Sequence, residues 1–264
     1  MSTAPQNAPR SSEDITREFA GRTAFVTGGA SGIGYAVSAL LAARGAAVAV
    51  ADLDGKAAEV LAERLTADGG TAIGLAVDVT DPESVRVAVD TTVQRLGPLR
   101  LAVNNAGVSG AVARLADYPL AEWRQVMAVN LDGVFHSLRC ELPAMSEAGG
   151  GSVVNVASIM GTVATMGGSA YVAAKHGVVG LTKTAALEYA ARGIRVNAVG
   201  PGFIDTPLLH TVDDEQRAAL VALHPVGRLG TTQEVAETIC FLLSDRASFV
   251  QGSHHLVDGG YTAR

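Results

Sequence analysis

The stretch AYVAAKHGVVG, residues 170–180, places Tyr171 and Lys175 four positions apart, which on a helix stacks them on one face. A phenol with an unperturbed pKa of about 10 is a poor proton acceptor at neutral pH. A lysine cation held beside it would favour the phenolate and bring its pKa toward the working range. The spacing alone is equally met by a surface pair, an amphipathic tyrosine next to a solvated lysine. Two further groups bear on the choice. Ser158 closes the run GSVVNVAS thirteen positions before Tyr171, so a strand-end hydroxyl and a phenol on the next helix could converge on one substrate oxygen. VTGGASGIG, residues 26–34, follows an apolar run and opens a helix-like segment; Gly28, Gly32 and Gly34 permit a tight turn and close backbone approach, so that helix N-terminal N–H groups can meet a pyrophosphate. Asp52 ends the next apolar run, twenty positions after Gly32. A carboxylate there would accept hydrogen bonds from ribose hydroxyls and repel a 2′-phosphate, and Ser31 offers no positive charge to offset it, so NAD is favoured over NADP.

These groups need a frame that brings strand ends together. Apolar runs recur at 22–28, 46–52, 71–79, 99–107, 151–158, 194–202 and 253–260, separated by longer helix-like segments. Near-continuous apolar strands alternating with helices predict an α/β fold: a single-domain, doubly wound (Rossmann) parallel sheet of about seven strands with helices on both faces. Gly45 falls where the first helix must stop, and Asp81-Pro82 reads as an N-cap followed by the first helical residue. Residues 1–20 are polar and rich in Pro, Ser and Ala, which predicts a flexible tail ahead of one catalytic domain over 21–264.

Composition narrows the partners. The 264 residues are 48% hydrophobic and 17% charged, enough for a substantial core and unlike a disordered chain. A net charge of -6 leaves no broad basic face, which argues against nucleic acid and against anionic membrane surfaces. Cys140 and Cys240 lie a hundred positions apart in apolar stretches, and the six histidines lack ligand spacing, so neither a disulfide framework nor a metal site is expected. The N-terminus has no apolar signal core and no window reaches the length of a membrane span; a cytoplasmic location is the expectation.

The GxxxGxG spacing of the glycine turn, together with NNAG at 104–107, Asn130, Ser158, Tyr171, Lys175 and PG at 201–202, resembles the short-chain dehydrogenase/reductase family over residues 21–260. The resemblance implies interconversion of a secondary alcohol and a ketone with hydride transfer to NAD. Tyr171 would be the general acid/base, Ser158 would polarise the substrate oxygen, and Lys175 would lower the Tyr171 pKa and hold the nicotinamide ribose. Asn130 matches the asparagine that holds a water joining the lysine to a proton relay. Asp78 and Val79 match positions that meet the adenine, Asn104, Ala106 and Gly107 those lining the cofactor, and Thr206 the contact to the carboxamide. Ser31, Ile33, Leu53, Pro201, Gly202 and Ile204 complete the expected cofactor set. A homotetramer is the family's common assembly. Because oxidation releases a proton, alkaline pH should favour it and acid pH the reverse.

Positions expected to face the substrate are Ser109, Gly110, Ile159, Met160, Phe203 and the segment 205–227, whose near end carries Leu208 and Leu209 beside His210. An uncharged or weakly polar alcohol or ketone suits that lining. Two alternatives stay open. A 3-oxoacyl-carrier-protein reductase would use NADP and dock an acidic protein, for which Asp52 and the SEAGGGS turn, free of basic residues, are poorly suited. A non-catalytic dinucleotide-binding scaffold would have no need of the tyrosine and lysine, and both are present.

Overall fold

Strands without polar alternation can only be stable when both faces are covered, and this requirement organises the molecule. A computed structural model describes residues 17–206 and 213–263. In chain order the strands are Thr23–Thr27 (β1), Ala47–Asp52 (β2), Thr71–Ala76 (β3), Leu99–Asn104 (β4), Gly151–Val156 (β5), Ile194–Pro201 (β6), Ile204–Asp205 (β7), Gly230–Thr231 (β8) and His254–Val257 (β9). Seven of them form one parallel sheet in the order β3-β2-β1-β4-β5-β6-β9, while β7 and β8 form a separate short parallel pair. Every residue of β1 is buried, whereas the edge strands β3 and β9 are mostly half-buried or exposed. The expected single-domain parallel α/β sheet is therefore the fold, with the β7–β8 pair as an addition that its two-residue strands gave no period to reveal.

The helices are Gly32–Ala43 (α1), Gly55–Ala67 (α2), Pro82–Leu96 (α3), Leu120–Met127 (α4), Gly133–Glu147 (α5), Ser169–Tyr189 (α6), Asp214–Ala222 (α7) and Thr232–Leu243 (α8). One face of the sheet packs with α1, α2 and α8 through Val37, Leu41, Leu61 and Ile239. The other packs with α3, α5 and α6 through Val85, Leu138, Leu142 and Val178. Asp81 caps α3 by accepting from Glu83 N at 2.9 Å with Pro82 in the first turn, and Gly45 takes φ +89° directly after α1, both as expected. Strand order reverses between β1 and β4, so their C-terminal ends diverge and open a crevice there.

The start of the fold corrects the expected tail. Phe19 is fully buried in the core, and the Glu18 carboxylate meets Arg44 at 3.1 Å and Arg246 at 3.2 Å, so residues 17–20 belong to the domain. Residues 1–16 lie outside those described. Among the described residues no helix is long and apolar enough to cross a membrane, and no three His, Cys, Asp or Glu side chains cluster to hold a metal.

Beneath the crevice runs a buried polar chain. Asn104 Nδ2, at the end of β4, donates to Glu141 Oε2 at 3.0 Å and to Asn155 Oδ1 at 2.9 Å, and Asn155 Nδ2 donates to Thr182 Oγ1 at 2.9 Å. These bonds tie β4, β5, α5 and α6 together. Glu141 is fully buried, and burial pushes its carboxyl up to about 8 against the opposing hydrogen bond from Asn104. Its folded pKa thus lies above the unfolded value, so the stability it supports is complete below about 4.5 and is lost as pH rises toward about 8. Replacing Glu141 with Gln should flatten that dependence: in thermal melts the variant should gain on the wild type between pH 5 and pH 8, by an amount on the order of a few kcal/mol. Parallel melting curves for the two proteins across this range would count against a neutral Glu141.

Candidate active site

The glycine turn between β1 and α1 is built from backbone at the closest approach the chain allows. Gly28 has φ +58°, and a Cβ on it would stand 2.9 Å from Ala106 Cα; a Cβ on Gly34 would overlap the Gly28 carbonyl. Gly32, at φ +51°, faces open space bordered by the Thr206 side chain, whose nearest atom lies 3.7 Å from where its Cβ would be. Ser31 is the N-cap of α1 but makes no side-chain cap, leaving the first N–H groups of the helix without a side-chain acceptor. This is a cradle lined by backbone and fit for an anionic pyrophosphate.

Asp52 defines the far side of the cradle. Its Oδ2 accepts from Ala30 N at 3.0 Å and its Oδ1 from Asp54 N at 3.1 Å, so the carboxylate pins the glycine turn to the end of β2 and keeps lone pairs for ribose hydroxyls. Leu53 beside it is 76% exposed. Asp78 Oδ1 accepts from Thr80 N at 2.9 Å and Thr80 Oγ1 at 2.7 Å, which orders the turn after β3.

At the chemical end, α6 presents Tyr171 and Lys175 on one face, as their spacing predicts. Ser158 follows β5 and its Oγ accepts from Met160 N at 3.1 Å, which fixes a short 3₁₀ turn over Ile159–Gly161. The Ser158 hydroxyl lies close enough to the Tyr171 phenol to oppose the rise in its pKa, so the two oxygens predicted to converge do so. Lys175 is 3% exposed; its Nζ donates to Val156 O at 2.8 Å and stands 5.6 Å from the centre of the Tyr171 ring. A Cβ on Gly107 would lie 3.0 Å from Asn130 Oδ1 and 3.7 Å from Lys175 Nζ, so NNAG ends against both side chains. Asn130 is buried in a π-helical turn, Ala128–Asp132, that joins α4 to α5. Its amide accepts from Val108 N at 2.8 Å and donates to Val108 O at 2.7 Å, tethering the loop after β4.

Desolvation works against one expectation, that Lys175 brings the phenol toward the working range. Burial holds the Tyr171 phenol above its usual value of 10, with the Ser158 hydrogen bond pulling the other way, and burial also lowers the Lys175 ammonium to about 8. Desolvation thus opposes the lowering of the phenol pKa expected from Lys175. Each group loses hydration on its charged form, and the ammonium is committed to a backbone carbonyl.

Other expected positions divide into three groups. Asn104 was expected to line the cofactor, but its amide turns into the buried chain toward Glu141 and Asn155. Ile204 and Val79 are likewise core side chains, leaving only their backbone for a ligand. Ile159 and Met160 are buried in the 3₁₀ turn, Ser109 is exposed, and Phe203 is half-buried. Leu208 and Leu209 lie outside the described residues. The sequence reading missed Asn105, whose Nδ2 donates to Gly28 O at 2.9 Å and Thr27 O at 3.1 Å and whose N–H meets Thr27 Oγ1 at 3.1 Å. The alternation of side chains along a strand puts Asn104 and Asn105 on opposite sides, a signal that could have assigned them separately.

A surface groove of about 710 Å³ is lined from α6 by Ser169, Val172, Ala173 and His176. Helical periodicity sets these residues on the side of α6 away from Tyr171 and Lys175, so the groove is separate from the chemistry.

A family model described as Enoyl-(Acyl carrier protein) reductase matches residues 28–262. The chain is 46% identical over 250 residues to the cyclohexanol dehydrogenase of Acinetobacter sp. (strain SE19), spanning 95% of this chain and 98% of that protein. It is 48% identical over 245 residues to the cis-4-hydroxycyclohexanecarboxylate dehydrogenase of Sinomonas cyclohexanicum, spanning 93% and 98%. A solved short-chain type dehydrogenase/reductase from Mycobacterium marinum superposes with a TM-score of 0.91 at 35% identity, over 96% of this chain and 100% of that one. The bonds from Asn105 to the glycine turn admit a direct check. Asn105→Ala leaves two part-buried carbonyls short of a donor and should cost about 1–3 kcal/mol in denaturant unfolding, and an unchanged midpoint would remove Asn105 from the support of the turn.

Proposed function

Because the chain belongs to the short-chain dehydrogenase/reductase family, we propose that it is an NAD-dependent dehydrogenase interconverting a secondary alcohol, of the alicyclic class, with its ketone. The observation that carries this reading is the grouping of buried Ser158 at the end of β5 with half-buried Tyr171 on α6, and of buried Lys175 one turn along the same helix. The alicyclic class rests on the two relatives described above. Dehydrogenation of ring alcohols agrees with the apolar lining expected near the substrate.

A bound nicotinamide dinucleotide supplies the hydride acceptor for alcohol oxidation and the hydride donor for ketone reduction. The chain's own residues handle the proton and the orientation. Ser158 holds the substrate oxygen against Tyr171, and the phenolic oxygen takes the hydroxyl proton in oxidation or returns it in reduction. Lys175, cationic below about pH 8, offers its remaining N–H donors to a ribose. Asn130 fixes the loop at Val108 beside the ammonium. The glycine turn would hold the pyrophosphate, with Asp52 accepting from the adenosine ribose. Asp52 also favours NAD, since a 2′-phosphate would face its carboxylate and Ser31 in the glycine turn offers no positive charge to offset it. The same carboxylate speaks against the NADP-dependent carrier-protein reductase. A homotetramer is supported by Leu256, exposed on the edge strand β9, and by the fully exposed Phe249 just before it; a sedimentation coefficient of a monomer would end that part of the reading.

Three outcomes are expected from a panel of alicyclic and open-chain secondary alcohols and ketones, followed by nicotinamide absorbance. Tyr171→Phe should lower turnover by about 10²-fold or more while NAD binding persists, and near-normal turnover would remove Tyr171 from the chemistry. Asp52→Ala should narrow the preference for NAD over NADP, and a wild type already faster with NADP would overturn the role given to Asp52. Oxidation should accelerate and reduction slow as pH rises above 7, because burial keeps Tyr171 protonated at neutral pH; a flat oxidative profile up to pH 10 would contradict proton transfer to this phenol.

A further inference from the structure

The aromatic cluster at the base of α7 is not used by the chemistry above. His224 lies just beyond the helix and is 3% exposed, with both ring nitrogens engaged. Nδ1 lies 2.9 Å from Leu220 O, so it carries the proton and donates to that carbonyl. Nε2 is then the acceptor, and it receives the N–H of Phe203 at 3.2 Å. The ring also packs edge-on to Phe203, centroids 5.8 Å apart at 83°, and against Tyr261 at 5.5 Å. There is no slack at this contact: a Cβ on Gly202 would stand 2.9 Å from Nε2 and 3.0 Å from Asp258 Cα.

Phe203 is held at its other end too, for its carbonyl accepts from Gly230 N at 3.0 Å, and Ile204–Asp205 pairs with Gly230–Thr231. One residue past that pair, Thr206 borders the open space at Gly32 in the glycine turn. The segment from Gly202 to Thr206 therefore reaches the cradle as a short strap anchored at Phe203. Asp52 and the adenosine side lie across the turn, tied to Ala30 and not to this strap.

We propose that His224 is a positioning residue for dinucleotide binding: through its Nε2 bond to Phe203 it sets the strap that carries Thr206 to the pyrophosphate and nicotinamide side of the cradle. This rests on the reading that the glycine turn holds a dinucleotide. The chemistry of the two nitrogens makes the idea separable from simple packing. In His224→Gln the amide oxygen reaches the place of Nε2 and can still accept from Phe203, whereas in His224→Asn the shorter amide reaches only the place of Nδ1, keeping the bond to Leu220 and losing the one to Phe203.

The experiment is calorimetric titration of wild type and both variants with NAD and, separately, with adenosine 5′-monophosphate, which engages only the adenosine side. His224→Gln should bind NAD within about 3-fold of wild type. His224→Asn should bind NAD about 10-fold more weakly, with adenosine monophosphate affinity unchanged within about 2-fold. Equal NAD affinity in the two variants, or a parallel loss for both ligands, would overturn the proposal, as would failure of both variants to fold, which would make His224 a residue of the core alone. A wild type that binds neither NAD nor NADP would instead strike the dinucleotide reading on which the proposal stands.

Discussion

An ammonium group has been taken out of water and set against one strand-end carbonyl, and much of the site is arranged around it. Lys175 Nζ donates to Val156 O at 2.8 Å while the side chain is 3% exposed. Burying a cation without a counter-ion is costly; burial lowers its pKa to about 8, and the Val156 carbonyl accepts one of its N–H groups. That bond needs the end of β5, the first turns of α6 and the tip of the loop after β4 at one place. Only a parallel sheet, with all strand C-termini on one edge, brings them there.

The buried chain of Asn104, Asn155, Thr182 and Glu141 lies under this edge and explains how the pieces keep register. Asn155 immediately precedes Val156, and Thr182 lies two turns along α6 from Lys175, so the same two elements are linked again below the ammonium. Burial pushes the Glu141 carboxyl up to about 8, which favours the uncharged form and avoids a second buried charge. The network leaves the buried Asn104 Oδ1 and Glu141 Oε1 without a partner, yet it joins four elements that hydrophobic contact alone could let slide.

Much of this was legible beforehand. Seven apolar runs became the seven strands of the main sheet because both-sided burial leaves a continuous apolar signature, and the Asp81-Pro82 and Gly45 boundaries followed from capping chemistry. The convergence of Ser158 and Tyr171 could be anticipated because a strand end and the next helix start share one edge of the sheet. The direction of the Tyr171 pKa shift could not. It depends on how much water each group loses, a property of all the surrounding elements at once. Strand alternation could have separated Asn104 from Asn105, but which of the two faced the core was fixed only by the partners each found in Glu141, Asn155 and the glycine turn.

By itself, then, the amino-acid order determined the element pattern, the glycine turn, the carboxylate at the end of β2 and the Tyr171–Lys175 face, because each is a local matter of spacing, backbone freedom or side-chain type. The tertiary structure alone decided that Lys175 spends a bond on Val156, that Glu141 is buried with its carboxyl pushed up to about 8, that Phe19 belongs to the core, and that His224 meets Phe203 across 21 positions. These are long-range facts. Burial and partnership are set when distant segments pack together, and no local pattern encodes the dielectric or the neighbour that a side chain finds there.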